Sequence, residues 1–180
     1  LLKKSEKVEK DYQIKKYFQI DMVSFSKKKK KGEDFSSVEL EKATQYAAED
    51  ALMTLSTRIR NSANEILGSS EIDYKIHIDK EIDQEFHDFS ERKNVVLIVK
   101  EALNNIAKYS KAKEVLINFK KIEKDFVLEI TDNGIGFTQN FSKGNGLLNM
   151  KKRAEEIGGK FEIISEKGTS VKITIPKLRD

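Results

Sequence analysis

Hydrophobic and polar residues alternate in five short runs and recur at helical spacing in three longer ones, and this rhythm predicts most of the elements. Ile72, Tyr74, Ile76 and Ile78 alternate with Asp73, Lys75, His77 and Asp79, the period-two pattern of a half-buried strand with His77 on its polar side. Residues 115–119 and 126–130 repeat that alternation around a turn at Glu123-Lys124-Asp125, and 161–164 with 171–175 form a last hairpin. Helical spacing governs 92–109, where Val95, Val96, Val99, Leu103, Ile106 and Ala107 supply apolar surface, and 147–157. A third helix is expected over 36–68, with Ser36 as N-cap of the capping box Ser36-Ser37-Val38-Glu39. Apolar residues run through it to Leu52, Leu55, Ile59, Ala63 and Ile66, and Gly68 is its stop signal. Such a stripe packs on its own domain or pairs with a second chain. Strands with one apolar face beside helices on one side argue an α+β fold.

Three regions separate along the chain: a lysine-rich stretch at 1–35, the long helix at 36–68 as a dimerisation or connector element, and a domain at 70–180. The block Lys27 to Lys31 repels itself and reads as a solvated linker, with contact to an acidic lipid surface or partner as the minority reading. Val8, Tyr12, Ile14, Tyr17 and Phe18 fit a short helix or a strand equally. A chain of 180 residues that starts Leu1-Leu2 reads as a piece of a longer protein, with a sensor or membrane anchor expected upstream. There is no cysteine, hence no disulfide framework or thiolate metal site, and no apolar run long enough to span a bilayer as a helix. This fits a cytoplasmic location, including the cytoplasmic part of a membrane-anchored protein. A net charge of +4 against 36% charged residues is weak support for nucleic-acid binding, and no basic stripe interleaved with aromatics adds to it.

The candidate chemistry lies on the second helix and the two glycine-bearing runs that follow. Glu101, Asn105 and Lys108 stand at i, i+4 and i+7, so an α-helix places them on one polar stripe. The Asn105 amide oxygen is a hard neutral ligand suited to Mg²⁺, which takes one or two protein oxygens together with substrate phosphates; Lys108 can neutralise those phosphates. In Asp132-Asn133-Gly134-Ile135-Gly136 the carboxylate can accept a hydrogen bond from an adenine amino group, and Gly134 and Gly136 allow close approach of the backbone. Gly144 and Gly146 open a helix whose free N–H groups suit a triphosphate. Between these runs, the polar residues 138–143 read as a short lid.

Each run alone has a plainer explanation. Asp-Asn-Gly is usually a turn, Gly-x-Gly usually a loop before a helix, and an isolated lysine or glutamate usually a solvated surface group. Their order and spacing favour the site. A P-loop is excluded, because no Gly-x-x-x-x-Gly-Lys-Ser/Thr run exists. A dinucleotide fingerprint fails for want of its third glycine and of a preceding buried strand.

In order, residues 101–109, 132–136, 144–150 and Gly168-Thr169 resemble the N, G1, G2 and terminal Gly-Thr boxes of the GHKL ATP-binding domain, over about Ile72 to Pro176. The likeness is to sensor histidine kinases of the nitrate-sensor and membrane-thermosensor type, which share Glu-Ala-x-x-Asn and Gly-x-Gly-Leu-x-x-Met. The resemblance implies a two-layer α/β sandwich of the Bergerat kind, with ATP and Mg²⁺ as cofactors. The nucleotide would be held by Asn105, Lys108, Tyr109, Asp132, Gly134, Gly136, Gly144, Gly146, Leu147 and Thr169. It further implies Glu101 as catalytic base, transfer of the γ-phosphoryl group to histidine, a response regulator as partner and a homodimer in the full-length protein. Two departures stand out: Lys108-Tyr109-Ser110 replaces the subfamily's frequent Lys-His-Ser, and 165–170 is short for its box.

No histidine occurs in 37–67, where such kinases carry their phosphoacceptor on an exposed helix. The acceptor is therefore expected outside this chain, and His87-Asp88, just before the site's own helix, reads as loop. The alternative, from another class, is an ATP-gated regulatory binding module, either a degenerate kinase or an anti-sigma-type regulator, without phosphotransfer.

Overall fold

The structure is a computed structural model, and it describes residues 53–136 and 145–177. The lysine block, the cluster around Tyr12, the expected helix start at Ser36, the expected lid at 138–143 and Gly144 lie outside the described residues.

From Thr54 onward the chain forms one compact unit. Its strands are β1 (Asp73–Ile78), β2 (Glu114–Ile122), β3 (Asp125–Asp132), β4 (Lys160–Glu166) and β5 (Gly168–Pro176), hydrogen-bonded in the order β1-β2-β3-β5-β4. β1 runs parallel to β2 and every other pairing is antiparallel. Parallel neighbours need a crossover, which α2 (Glu81–Glu85) and α3 (Phe89–Asn105) supply; α1 (Leu55–Leu67) precedes β1, and α4 (Gly146–Glu156) precedes β4. Val115, Ile117 and Phe119, then Phe126, Leu128 and Ile130, then Val171, Ile173 and Ile175 are buried at alternate positions. They meet the apolar stripes of α1, α3 and α4 in a single core, giving the expected α+β arrangement of a sheet with helices on one face.

The single helix expected over 36–68 needs correction. Thr54 has extended backbone (φ −67°, ψ 158°) and its hydroxyl accepts the Thr57 N–H, so a helix begins at Leu55. Asp83 of α2 reinforces that start by accepting the Ser56 N–H at 2.8 Å. Leu55, Ile59, Ala63 and Leu67 are buried in the core, so this helix belongs to the domain expected to start at residue 70. Each large apolar side chain so buried contributes about 1.5–3 kcal/mol.

α3 starts three residues before the expected Arg92, because Asp88 caps it by accepting the Glu91 N–H at 3.0 Å. His87 is exposed between α2 and α3, and His77 is exposed on β1 as its alternation predicts. A second correction concerns the other end. α3 gives way after Asn105 to a π-helical turn, Ile106–Ser110, ended by Lys111 in the left-handed region at φ 54°. Ser110 Oγ donates to the Ile106 carbonyl and accepts the Ala112 N–H, tying the turn to the following chain. The widened turn rotates Lys108 off an ideal α-helical stripe and leaves Ala107, expected in the core, exposed.

Candidate functional site

The C-terminal half of α3, the π-turn, the end of β3 and the first turn of α4 enclose a cavity of about 880 Å³. Its floor is Asp132, the last residue of β3, where the alternation that buries Phe126, Leu128 and Ile130 carries a carboxylate to the inner face. Asp132 Oδ1 accepts the Gly134 N–H at 2.8 Å, while Oδ2 is buried and has no partner within hydrogen-bond distance among the described residues. Burial raises the carboxyl above its ordinary value, and the Gly134 N–H and neighbouring Thr169 offset this in part. Apolar Ile130, Ile163, Val171 and Met150 line the cavity beside this carboxyl group, and a buried acceptor in such surroundings can take a hydrogen bond from a ligand.

Two glycines make this corner possible. A Cβ at Gly134 would lie 2.1 Å from the Ser110 carbonyl oxygen, which itself accepts the Ile135 N–H at 2.8 Å. The loop after Asp132 is thereby fastened to the π-turn. Gly168 has φ 92°, and a Cβ there would lie 1.9 Å from the Asp132 carbonyl oxygen; this approach lets Thr169 pair with Asp132 across the ladder. Gly168→Ala combines backbone strain with overlap against main chain, and a loss of about 3 kcal/mol or more is expected. Denaturant unfolding reads it directly; an unchanged midpoint would mean that the corner is not rigid.

The opposite wall is polar. Glu101, Asn105, Lys108 and Tyr109 line it from α3 and the π-turn, and Gly146 and Leu147 line it from α4. Glu101 rests on the first turn of α4, since a Cβ at Gly146 would come within 2.2 Å of its Oε1 and 3.6 Å of Asn105 Nδ2. A carboxylate suits the positive end of a helix. Among the described residues no three His, Cys, Asp or Glu side chains gather to hold a metal ion. The Asn105 amide oxygen fits an ion that takes most of its ligands from water and phosphate, which is the habit of Mg²⁺.

Nine of the residues expected from the sequence therefore line one cavity: Glu101, Asn105, Lys108, Tyr109, Asp132, Gly136, Gly146, Leu147 and Thr169. Gly134 stands behind Asp132, outside the lining, and Gly144 is outside the described residues. Ser110, Asn104, Asn145, Asn149 and the apolar lining residues were not expected. For Ile130, Ile163 and Val171 a signal existed, because they are inward positions of strands already legible from alternation.

The family described as histidine kinase-, DNA gyrase B-, and HSP90-like ATPase matches residues 90–179. Sensor histidine kinase DesK of Bacillus subtilis is 37% identical over 82 residues, which is 44% of this chain and 22% of the relative. Sensor histidine kinase LiaS of the same organism is 41% identical over 83 residues, 44% of this chain and 23% of the relative. The match thus spans less than a quarter of either relative. In fold, the histidine kinase domain of the Erythrobacter litoralis EL346 blue-light activated kinase aligns with a TM-score of 0.66 at 16% identity, covering 96% of this chain and 94% of that one.

Proposed function

Because the chain belongs to the histidine kinase-, DNA gyrase B- and HSP90-like ATPase family, we propose that Asp132 reads the adenine amino group of ATP and that the domain passes the γ-phosphoryl group to a histidine outside this chain. The observation that carries the adenine assignment is the buried Asp132 Oδ2, without a hydrogen-bond partner among the described residues, in an otherwise apolar recess. Thr169 and Gly136 flank the base, Lys108 and Tyr109 reach the phosphates, and the first turn of α4, with Gly146 and Leu147, offers free N–H groups to them. Gly144 and Gly134 complete the glycine set, the latter by holding the loop. Mg²⁺ bound through Asn105 supplies charge neutralisation at the phosphates.

Glu101 accepts a hydrogen bond from one N–H of the acceptor imidazole, so that the other nitrogen is the stronger nucleophile. That nitrogen forms the new bond to phosphorus, the proton on the first nitrogen passes to Glu101, the bond from phosphorus to the β–γ bridging oxygen breaks, and ADP leaves. Positioning and electrostatics do most of the work. A response regulator as next acceptor, and pairing of two chains in the full-length protein, belong to the same reading. Among the described residues no helix is long and apolar enough to cross a membrane.

Calorimetric titration with ATP, with and without Mg²⁺, tests the phosphate end. Affinity should rise with Mg²⁺, and Asn105→Ala should remove most of that gain while leaving metal-free binding within about twofold, because the amide is the one protein ligand assigned to the ion. An undiminished Mg²⁺ effect in the variant would remove Asn105 from the metal.

A further inference from the structure

We infer that Asn94 is a positioning residue that seats the first turn of α4 against the nucleotide phosphates, acting through Arg153 and Glu156. The inference rests on the nucleotide reading above.

Asn94 is a buried polar residue of α3, and nothing in the proposed chemistry uses it. Its Nδ2 donates to Glu156 Oε2 at 3.2 Å, and its Oδ1 accepts from Arg153 Nη1 at 3.3 Å. Arginine can only donate and a carboxylate can only accept, so the two partners fix which way the amide faces. One side chain of α3 is therefore held at both ends by α4.

The spacing gives this a consequence. Seven residues separate Asn94 from Glu101 on α3, and seven separate Arg153 from Gly146 on α4. Asn94 meets Arg153 and Glu101 meets Gly146, so the two helices run antiparallel and touch at both ends of the same two-turn span, about 10 Å long. Met150, buried between these ends, and Ala154, buried just past Arg153, supply apolar contact, and such contact tolerates sliding. A slip by one turn would carry Gly146 about 5.4 Å along the wall. The amide triad exists in one register alone.

Among the described residues, the first turn of α4 packs against Glu101 but has no comparable side-chain hydrogen bond of its own. Asn145, its capping residue, makes no side-chain cap hydrogen bond. At the far end, the Gly159 N–H returns to the Ala154 carbonyl and closes the helix toward β4. The seat of the phosphate-facing turn is thus set from the Asn94 end, two turns away, and α4 reaches the recess around Asp132 through Met150, the other apolar walls there, Ile130, Ile163 and Val171, belonging to the sheet.

The experiment compares two ligands on three proteins: ATP with Mg²⁺ and adenosine, titrated into the unsubstituted chain, Asn94→Leu and Glu156→Ala. Leucine keeps the buried volume, and Glu156 is exposed, so the second variant removes a triad partner without touching the core. The expected result is an ATP Kd raised about tenfold in Asn94→Leu and less in Glu156→Ala, with adenosine Kd within about twofold throughout, since tenfold corresponds to one lost phosphate interaction of about 1.4 kcal/mol. Equal weakening of ATP and adenosine, or no weakening of ATP in either variant, would overturn the positioning role. Failure of the unsubstituted chain to bind ATP at all would overturn the nucleotide reading beneath it.

Discussion

Asp132→Asn should bind ATP about tenfold to a hundredfold more weakly than the unsubstituted protein and yet melt at a higher temperature near neutral pH. The binding loss follows from counting acceptors. Oδ1 accepts the Gly134 N–H, and Oδ2, without a partner among the described residues, is the acceptor proposed for the adenine amino group. An asparagine has a single oxygen for both, and its NH₂ group would face the adenine amino donor or the Gly134 N–H with the wrong polarity.

The stability gain follows from the direction of the shift. Burial raises the Asp132 carboxyl in the folded protein above its unfolded value. Stability from such a group is fully present below the unfolded value and is lost as pH rises through the folded one. Near neutral pH the buried carboxyl group therefore weakens the fold, and a neutral amide relieves it. Melting curves from pH 3 to pH 7 should show the advantage of the variant shrinking as the pH approaches about 4, where the unfolded aspartate protonates. A variant that is less stable at neutral pH, or that binds ATP normally, would mean that Oδ2 has a partner other than the nucleotide.

Glu101→Ala should reduce phosphoryl transfer to a supplied histidine acceptor by about 10²–10⁴-fold, the usual contribution of a general base, while ATP binding stays within about twofold. Glu101 lines the cavity and lies against α4 at Gly146, without a place in the adenine recess. The acceptor has to be supplied, on the same chain upstream or in trans. His77 faces out from β1 on the side away from the helices. His87 lies beyond the far end of α3, about 24 Å along the helix from Asn105. Neither can present a nitrogen in line with a γ-phosphate bound beside Asn105. Acid-labile label on His87 in this chain would contradict that geometry. A complete protein that binds ATP but labels no histidine would favour a nucleotide-gated binding module.

Much of this was legible because strand alternation and helical spacing each report one face of one element. The inward positions of β2, β3 and β5 are those the alternation marks, and Asp132 extends the β3 series by one step, so a carboxylate there is committed to the interior by its register. Glu101 and Asn105 share a helical face for the same reason.

What escaped depends on local bonds that periodicity does not record. The helix beginning at Leu55 is set by the Thr54 hydroxyl and by Asp83, one of them a residue of another element. The π-turn at 106–110 rests on Ser110 Oγ and on the left-handed Lys111, and it moves Lys108 away from the stripe that simple counting gives. The start of α3 could have been found: Asp88-Phe89-Ser90-Glu91 has the spacing of a capping box, and Asp88 is the cap. The service of Gly168 to Asp132 needed the β3–β5 pairing, which no single run of sequence contains.

The central claim is that this cavity recognises adenine through Asp132. Calorimetric titration of the 180-residue protein with ATP and with GTP, both in Mg²⁺, tests it most directly, because guanine presents a carbonyl where adenine presents its amino donor. Saturable heat with ATP and none with GTP at the same concentrations is the expected result; equal affinity for the two would contradict it.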